Sequence, residues 1–254
     1  MAFEHEHHGA EHEAHGHHGP KVLPSVLVAP DVVKSWQMRA LIVAVIFALL
    51  SAALAAVPGG VTHLERAYLA GFMLCFNLCG GALAFLMVQY VSGGKWGLIL
   101  RRPLEAMTRT IWYVIGLAVV LIVFFMKHLY LWAMYTTKAA TLDAYHKGLI
   151  SNEEHLDIDF RHVMLNPGAA IFQAAVVLGF MALLIVLLNK WSVQRDADTA
   201  AGTVGSFDKW RVRFENVSGP SILLYVILMT DFVIVFVKSL DIIWASSEIG
   251  RAHV

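Results

Sequence analysis

Residues 168–189 read GAAIFQAAVVLGFMALLIVLLN and contain no charged side chain. An α-helix rises about 1.5 Å per residue, so this stretch is long enough to cross a hydrocarbon core about 30 Å thick. Residues 67–91 and 110–126 also lack charged side chains. Runs of this length and composition predict transmembrane helices.

The composition of the whole chain agrees with this prediction. Of its 254 residues, 58 % are hydrophobic and 15 % are charged. Soluble domains average about 45–50 % and about 25 %, respectively. These values exclude a soluble enzyme, a nucleic-acid-binding protein and a secreted disulfide scaffold. The formal net charge is zero and indicates no particular partner.

Five hydrophobic segments are separated by turn-forming or charged residues, such as Pro58-Gly59-Gly60 after the first. Backbone polar groups must be satisfied within the bilayer, which makes helices the expected structure. The chain is therefore predicted to be an all-α, polytopic transmembrane helix bundle within residues 36–247. The five predicted spans are residues 38–57, 66–91, 109–135, 167–191 and 220–244.

Lysine and arginine residues near the ends of the spans predict the orientation. Twelve of them fall on the side of the N-terminus and of the loops after spans two and four, and four fall on the other side. Because basic residues accumulate on the cytoplasmic side, we expect a cytoplasmic N-terminus. The loop at 138–166 is then outside, and its five acidic residues could face a basic partner protein or simply be solvated.

Residues 1–35 form a separate segment that begins with a histidine-rich stretch. It has no apolar run at its start and no signal-peptide pattern, so we expect a disordered cytoplasmic tail. Divalent-metal binding is one interpretation of its histidines. We favour a solvated tail, because neither a cysteine nor a fixed spacing defines a closed site. The histidines concerned are His5, His7, His8, His12, His15, His17 and His18.

Ionisable side chains within predicted spans are candidate functional residues, since they are costly at membrane depth. Asp231 is the strongest candidate, because apolar residues precede and follow it in the fifth span. Tyr225 and Lys238 could extend a polar line along the same helix, and Lys127 and His128 lie near the outer end of the third span. These residues and Asp241 are the candidates for a proton path; the alternative is interhelical hydrogen bonding and snorkelling.

No cofactor site is predicted within the chain. A membrane b-type cytochrome needs pairs of helical histidines as axial ligands, and His128 is the only histidine in a predicted span. The sequence also lacks the C-x-x-C-H pattern of c-type haem, a cysteine cluster for iron and sulfur, and nucleotide-binding motifs. If the chain works in electron transfer, its partners carry the redox centres.

Several short motifs resemble the NrfD-like (polysulfide-reductase type) membrane subunits of alternative complex III, a bacterial quinol:cytochrome c oxidoreductase. HLYLW at 128–132 is similar to the family's HLYHW, with Leu131 as the departure. FVKSLDIIW at 236–244 is similar to the family's W-x-M-S-L-D-P-x-W, with Ile242 in place of proline. The other segments, in the same order, are FNLCGG at 76–81, QYV at 89–91, W at 96, RRPLEAM at 101–107 and LNP at 165–167.

This resemblance covers about residues 37–247, and the nearest match is the subunit that does not lie beneath the iron–sulfur protein. It implies a structural subunit of a quinol-oxidising respiratory complex in the bacterial inner membrane, with proton conduction as a candidate additional role. The implied partners are a multihaem cytochrome c, an iron–sulfur protein and a sister NrfD-like subunit, which carry the c-type haems and iron–sulfur clusters. Quinol stays a candidate ligand, but the family places its binding on the sister subunit.

The end of the chain predicts a truncation. IGRAHV at 249–254 matches the translation of a common short-read sequencing adapter, so we expect residues 248–254 to be adapter read-through. In the family the SLD…W motif lies in mid-chain. The five spans are then expected to be the first half of a subunit with about ten.

Two other functions fit a polytopic chain. One is a secondary transporter or channel with Asp231 as its coupling site, although no internal repeat and no proline at the centre of a span is evident. The other is a membrane monooxygenase subunit, which would need His, Asp and Glu clustered within helices. Asp231 has no histidine three or four residues away.

Overall fold

The structure, a computed structural model, describes residues 30–93, 97–162, 164–202 and 205–240. Within these ranges the chain forms helices and no β-strand. Five of the described helices are long and apolar enough to cross a membrane. The predicted fold class, an all-α polytopic transmembrane protein, is confirmed. The five candidate spans are Asp31–Ala55, Gly60–Ser92, Ile99–Leu129, Pro167–Ala200 and Asp208–Leu240.

The chain divides into two compact units, Met1–Ala53 and Leu54–Val254. The first unit contains most of helix α1 (Pro30–Ala55). Proline suits the first position of a helix, and Asp31 places a negative charge in the first turn, where the helix dipole favours it. The boundary predicted at residue 36 therefore lies inside this helix, and residues 30–35 are helical. The histidines of the tail lie outside the described residues.

In the second unit, helix α2 (Gly60–Ser92) packs against α10 (Ser206–Phe236), and α10 packs against α9 (Pro167–Ala200). Buried residues recur along α2 at steps of three and four, which places them on one helix face. At the centre of the core, the Phe76 and Phe232 rings stack with centroids 4.3 Å apart. The buried positions on α2 include Leu69, Phe72, Phe76, Cys79, Leu83, Leu86 and Tyr90.

The third span is built from several short helices. Helix α3 (Gly97–Thr108) ends before α4 (Ile111–Val120), and a π-helical turn (Leu121–Phe125) leads into α5 (Met126–Leu129). The Tyr68 hydroxyl donates a hydrogen bond of 2.9 Å to the Leu117 carbonyl, just before the π turn. A side chain from α2 thus supports the backbone where the helix is irregular.

The third candidate span, Ile99–Leu129, differs at both ends from the predicted residues 109–135. The span starts earlier, because the charged residues after Gly97 lie on α3 and are paired with other side chains. It ends at Leu129, because Tyr130 has an extended backbone that stops the helix before the short α6 (Leu131–Met134).

Hydrogen bonds from aromatic side chains close the bundle at this end. The Tyr130 hydroxyl donates to the Phe236 carbonyl at 2.8 Å, and Trp132 Nε1 donates to Ser239 Oγ at 3.0 Å. Tyr130 is 1 % exposed, and this burial raises the pKa of its hydroxyl well above the ordinary tyrosine value. The hydroxyl therefore stays protonated and remains a donor over the physiological pH range.

The loop predicted at 138–166 contains two helices, α7 (Lys138–His146) and α8 (Asn152–Arg161). Ser151 and Glu154 form a capping box at the start of α8, which satisfies its first amide groups. An ion pair of 3.1 Å between Lys138 and Asp159 joins the two helices. Asp143 also accepts a hydrogen bond of 2.6 Å from Lys147, so three of the five acidic residues have local partners.

Gly80 and Gly81 offer a test of the contact between α2 and α10. A Cβ atom built on Gly80 would lie 2.7 Å from the Tyr225 hydroxyl, whereas one on Gly81 would have nothing within 4 Å. Because overpacking a core is destabilising, we expect Gly80→Ala to be less stable than Gly81→Ala by about 1–3 kcal/mol. Thermal unfolding in detergent measures the difference.

Replacement of Tyr225 by Phe is the internal control for this pair. It removes the hydroxyl, so the gap between the two alanine variants should shrink in that background. Equal stability of Gly80→Ala and Gly81→Ala would show that α2 and α10 do not pack as described.

Candidate functional site

A carboxylate and an imidazole meet at the end of the bundle that contains Tyr130. Glu65 is 4 % exposed on the first turns of α2. Its Oε1 lies 3.1 Å from Nδ1 of His128 on α5, and the side chain of His128 is 64 % exposed. A buried carboxylate requires such a partner. The pair links an interior carboxylate to a surface imidazole, and both groups can carry an exchangeable proton.

Glu65 is a functional candidate that the sequence analysis missed, because the second span was predicted to begin at Arg66. Helix α2 begins at Gly60, before this residue. A signal was available: position 65 precedes Leu69, Phe72 and Phe76 at steps of four, three and four, which places it on their helix face. His128, by contrast, was predicted and is half of this pair.

An apolar cleft of about 490 Å³ lies beside the Glu65–His128 pair. Arg66 and Leu129, the chain neighbours of the two partners, both line it. Its remaining lining residues come from α2 and from the end of the fifth span, and they are Leu69, Ala70, Met73, Phe236, Val237 and Leu240.

Asp231 lies at mid-depth in the bundle. The next residue, Phe232, stacks on Phe76, and Phe76 is halfway along α2 (Gly60–Ser92). The Asp231 side chain is half-buried on α10. Within the described part of the chain it forms no hydrogen bond and no ion pair. An ionisable group in this position is available for proton exchange or for a partner from outside these residues.

The other predicted proton-path residues do not form one continuous line in the structure. Tyr225 is buried, with its hydroxyl against Gly80, whereas Lys238 is exposed. Six residues turn a helix by about 600°, so Tyr225 and Asp231 lie on different faces of α10. Lys127 is exposed, and it has no ion pair among the described residues. Asp241 lies outside those residues.

A charged network occupies the opposite end of the bundle. Glu105 on α3 is 2 % exposed and accepts a hydrogen bond of 2.9 Å from Arg101 Nε, and the Ser192 hydroxyl donates to the same oxygen. Arg101 Nη2 also donates to both oxygens of Asp196, at 2.6 and 2.7 Å. Arg102 Nη2 donates to Asp196 at 2.6 Å. Each carboxylate thus receives more than one donor.

The sequence did not predict this network, because Arg101 and Arg102 fall in a predicted loop, where they served to orient the chain and as part of the RRPLEAM motif. Arg101 and Glu105 are four residues apart, which is the spacing of an intrahelical ion pair. That spacing was the available signal for α3. Nothing in the sequence indicated that Asp196, on α9, would join them.

Buried polar atoms lie close to this network. The guanidinium of Arg195 lies 5.1 Å from the Phe214 ring centroid and 5.9 Å from that of Tyr90. Among the described residues, Arg195 Nη2 and the Tyr90 hydroxyl are buried and have no hydrogen-bond partner. Buried polar atoms without a protein partner usually bind ordered water, which is the expected partner of these two atoms.

Neither candidate metal ligands nor comparisons with known proteins add a functional assignment to these sites. Within the described ranges, no group of three or more His, Cys, Asp or Glu side chains could hold a metal ion. No protein-family model and no curated protein matches this chain.

The Arg101–Glu105 contact yields a stability prediction. We expect Glu105→Gln to lower the free energy of unfolding by about 3 kcal/mol, because it removes one partner of a buried ion pair. Arg102→Gln is the matched control in the same helix. Its side chain is 60 % exposed, so its loss should cost no more than about 1 kcal/mol. Denaturant titration in mixed micelles measures both, and equal effects would contradict the central role of Glu105.

Proposed function

We propose that this chain is a membrane subunit of a quinol-oxidising respiratory complex of the alternative complex III type, in which it contributes transmembrane helices and part of a proton path. The multihaem cytochrome c, the iron–sulfur protein and a sister NrfD-like subunit would be its partners. They would hold the c-type haems and iron–sulfur clusters. The chain itself would lie in the bacterial cytoplasmic membrane with its N-terminus in the cytoplasm.

The observation that carries this proposal is Asp231, a half-buried carboxylate at mid-depth in a transmembrane bundle. An unpaired ionisable group at such a depth is expensive, and proteins retain one where it serves transport, proton transfer or a partner contact. The order and spacing of the motifs that resemble the NrfD-like family favour the respiratory complex over an independent transporter.

Carboxylates at both ends of the bundle support the proton path. Glu65 is paired with the surface residue His128 at one end, and Glu105 lies near buried polar atoms at the other. Asp231 lies between them in depth. A path along this bundle would therefore have a protonatable group near each membrane surface and one in the middle.

Co-purification tests the assignment to a complex. We expect the full-length protein, solubilised from its native membrane, to be isolated with multihaem c-type cytochrome and iron–sulfur subunits, detected by haem absorbance and mass spectrometry. Isolation of the chain alone, together with binding of a solute, would contradict this proposal and favour the transporter alternative with Asp231 as its coupling site.

Asp231→Asn tests the proton path within the assembled complex. It removes the exchangeable proton and keeps the size of the side chain, so we expect proton translocation to fall severalfold while quinol oxidation stays largely intact. Asp208→Asn is the control, because Asp208 is an exposed carboxylate near the start of the same helix.

The two activities are measured on the same proteoliposomes, with a pH indicator for translocation and cytochrome c reduction for quinol oxidation. Unchanged translocation in Asp231→Asn would remove Asp231 from any proton path. Loss of both activities in Asp208→Asn as well would indicate a general assembly defect.

A further inference from the structure

Three cations surround α9 at one level, near the end of the bundle that contains Glu105. Arg109 Nε donates a hydrogen bond of 3.3 Å to Asn189 Oδ1. Lys190 is the next residue, and the guanidinium of Arg213 lies 4.3 Å from the ring centroid of Trp191. Asn189, Lys190 and Trp191 are consecutive, so these contacts lie within about 3 Å along the helix axis. The three charges thus form a basic arc, defined here as Arg109, Lys190 and Arg213.

The arc lies where the hydrophobic part of α9 ends. Residues 168–189 are uncharged, and Lys190 is the first charged residue after them. Tryptophan residues concentrate at the boundary between hydrocarbon and headgroups. Trp191 and Trp210 occur together here, which places the basic arc at the level of lipid phosphate groups.

Arg213 is held in place by aromatic rings. Besides its contact with Trp191, its guanidinium lies 5.5 Å from the ring centroid of Trp210. Trp210 is itself anchored, because its Nε1 donates to Asp198 at 2.8 Å. A cation that is fixed between two indoles loses less rotamer entropy on binding an anion than a free lysine or arginine.

The charges of the basic arc are available for a ligand. All three residues are exposed, and none forms an ion pair among the described residues. Three carboxylates on α9 and α10 are already occupied. Asp196 binds Arg101 and Arg102, Asp198 accepts from Trp210, and Glu215 faces Arg211 at 3.8 Å.

We propose that the basic arc binds the headgroup of an anionic phospholipid. The positive charge of the arc attracts the anionic headgroup. The arc also lies at the end of the hydrophobic part of α9, which is the level of the lipid phosphates. A helix is about 10–12 Å in diameter, so cations on two sides of α9 can contact the phosphates of neighbouring lipids or the two phosphates of cardiolipin. This inference holds for any function of the bundle and does not depend on a respiratory role.

Native mass spectrometry of the full chain in detergent tests the proposal. The probes are phosphatidylglycerol, cardiolipin and phosphatidylcholine, each added separately. We expect both anionic lipids to remain bound more tightly than phosphatidylcholine. The triple variant Arg109→Gln, Lys190→Gln, Arg213→Gln should bind them roughly tenfold to hundredfold more weakly, since each cation contributes to the attraction.

The matched control removes the same charge from the other end of the bundle. Arg66, Lys127 and Lys238 are exposed and form no ion pair among the described residues, and their replacement by Gln should leave binding of anionic lipid within about twofold of the wild type. Equal retention of phosphatidylcholine by the wild type would overturn the proposal, as would an equal loss in the two triple variants. The wild-type comparison remains valid even if a variant does not fold.

Two additional arms separate a lipid site from other anion sites. Inorganic phosphate at the same concentration should not displace the lipid, and displacement would indicate a site for free phosphate. Arg213→Lys keeps the charge but loses the planar group that stacks on Trp191 and Trp210. We expect intermediate binding in this variant, and wild-type binding would show that the indoles play no part.

Discussion

The need to satisfy every backbone polar group without water governs this structure. In the hydrocarbon core an unpaired amide or carbonyl costs several kcal/mol, so the chain is helical wherever it crosses. Side-chain hydrogen bonds between helices stabilise the bundle beside the π turn of the third span and where that span ends. Tyr68 donates to the Leu117 carbonyl beside the π turn, and Tyr130 donates to the Phe236 carbonyl where the span ends.

The same constraint governs the charged residues. Glu105 and Arg101 are almost fully buried, and each is surrounded by partners from its own helix and from α9. Glu65 is buried at the other end and is paired with His128. Charges that are paired in this way lie near the two ends of the bundle, where the helices approach the membrane surfaces.

Asp231 differs from these paired carboxylates, because it has no partner among the described residues. The functional proposal is based on this difference. Asp231 lies at mid-depth, beside the aromatic core formed by Phe76 and Phe232, and no described side chain pairs with it. The paired carboxylates have clear structural roles in the described bundle. Asp231 has none there, which favours a role in proton exchange or in contact with another subunit.

The sequence by itself determined the fold class, the number of spans and their approximate positions. Long uncharged runs such as residues 168–189 have one stable solution in a bilayer, so their composition is sufficient evidence. It also identified Asp231 and His128, because an ionisable residue within an apolar run is conspicuous. Turn-forming residues located several boundaries well, as the start of α9 at Pro167 shows.

Only the tertiary structure decided which polar residues meet. Glu65 lies just outside the predicted second span, which begins at Arg66, and Asp196 is 95 positions from its partner Arg101. The end of the third span at Leu129 likewise depends on Tyr130 and its hydrogen bond to α10. Pairings between helices depend on their rotation and relative height, which are set by packing of the whole bundle and leave no local pattern in the sequence.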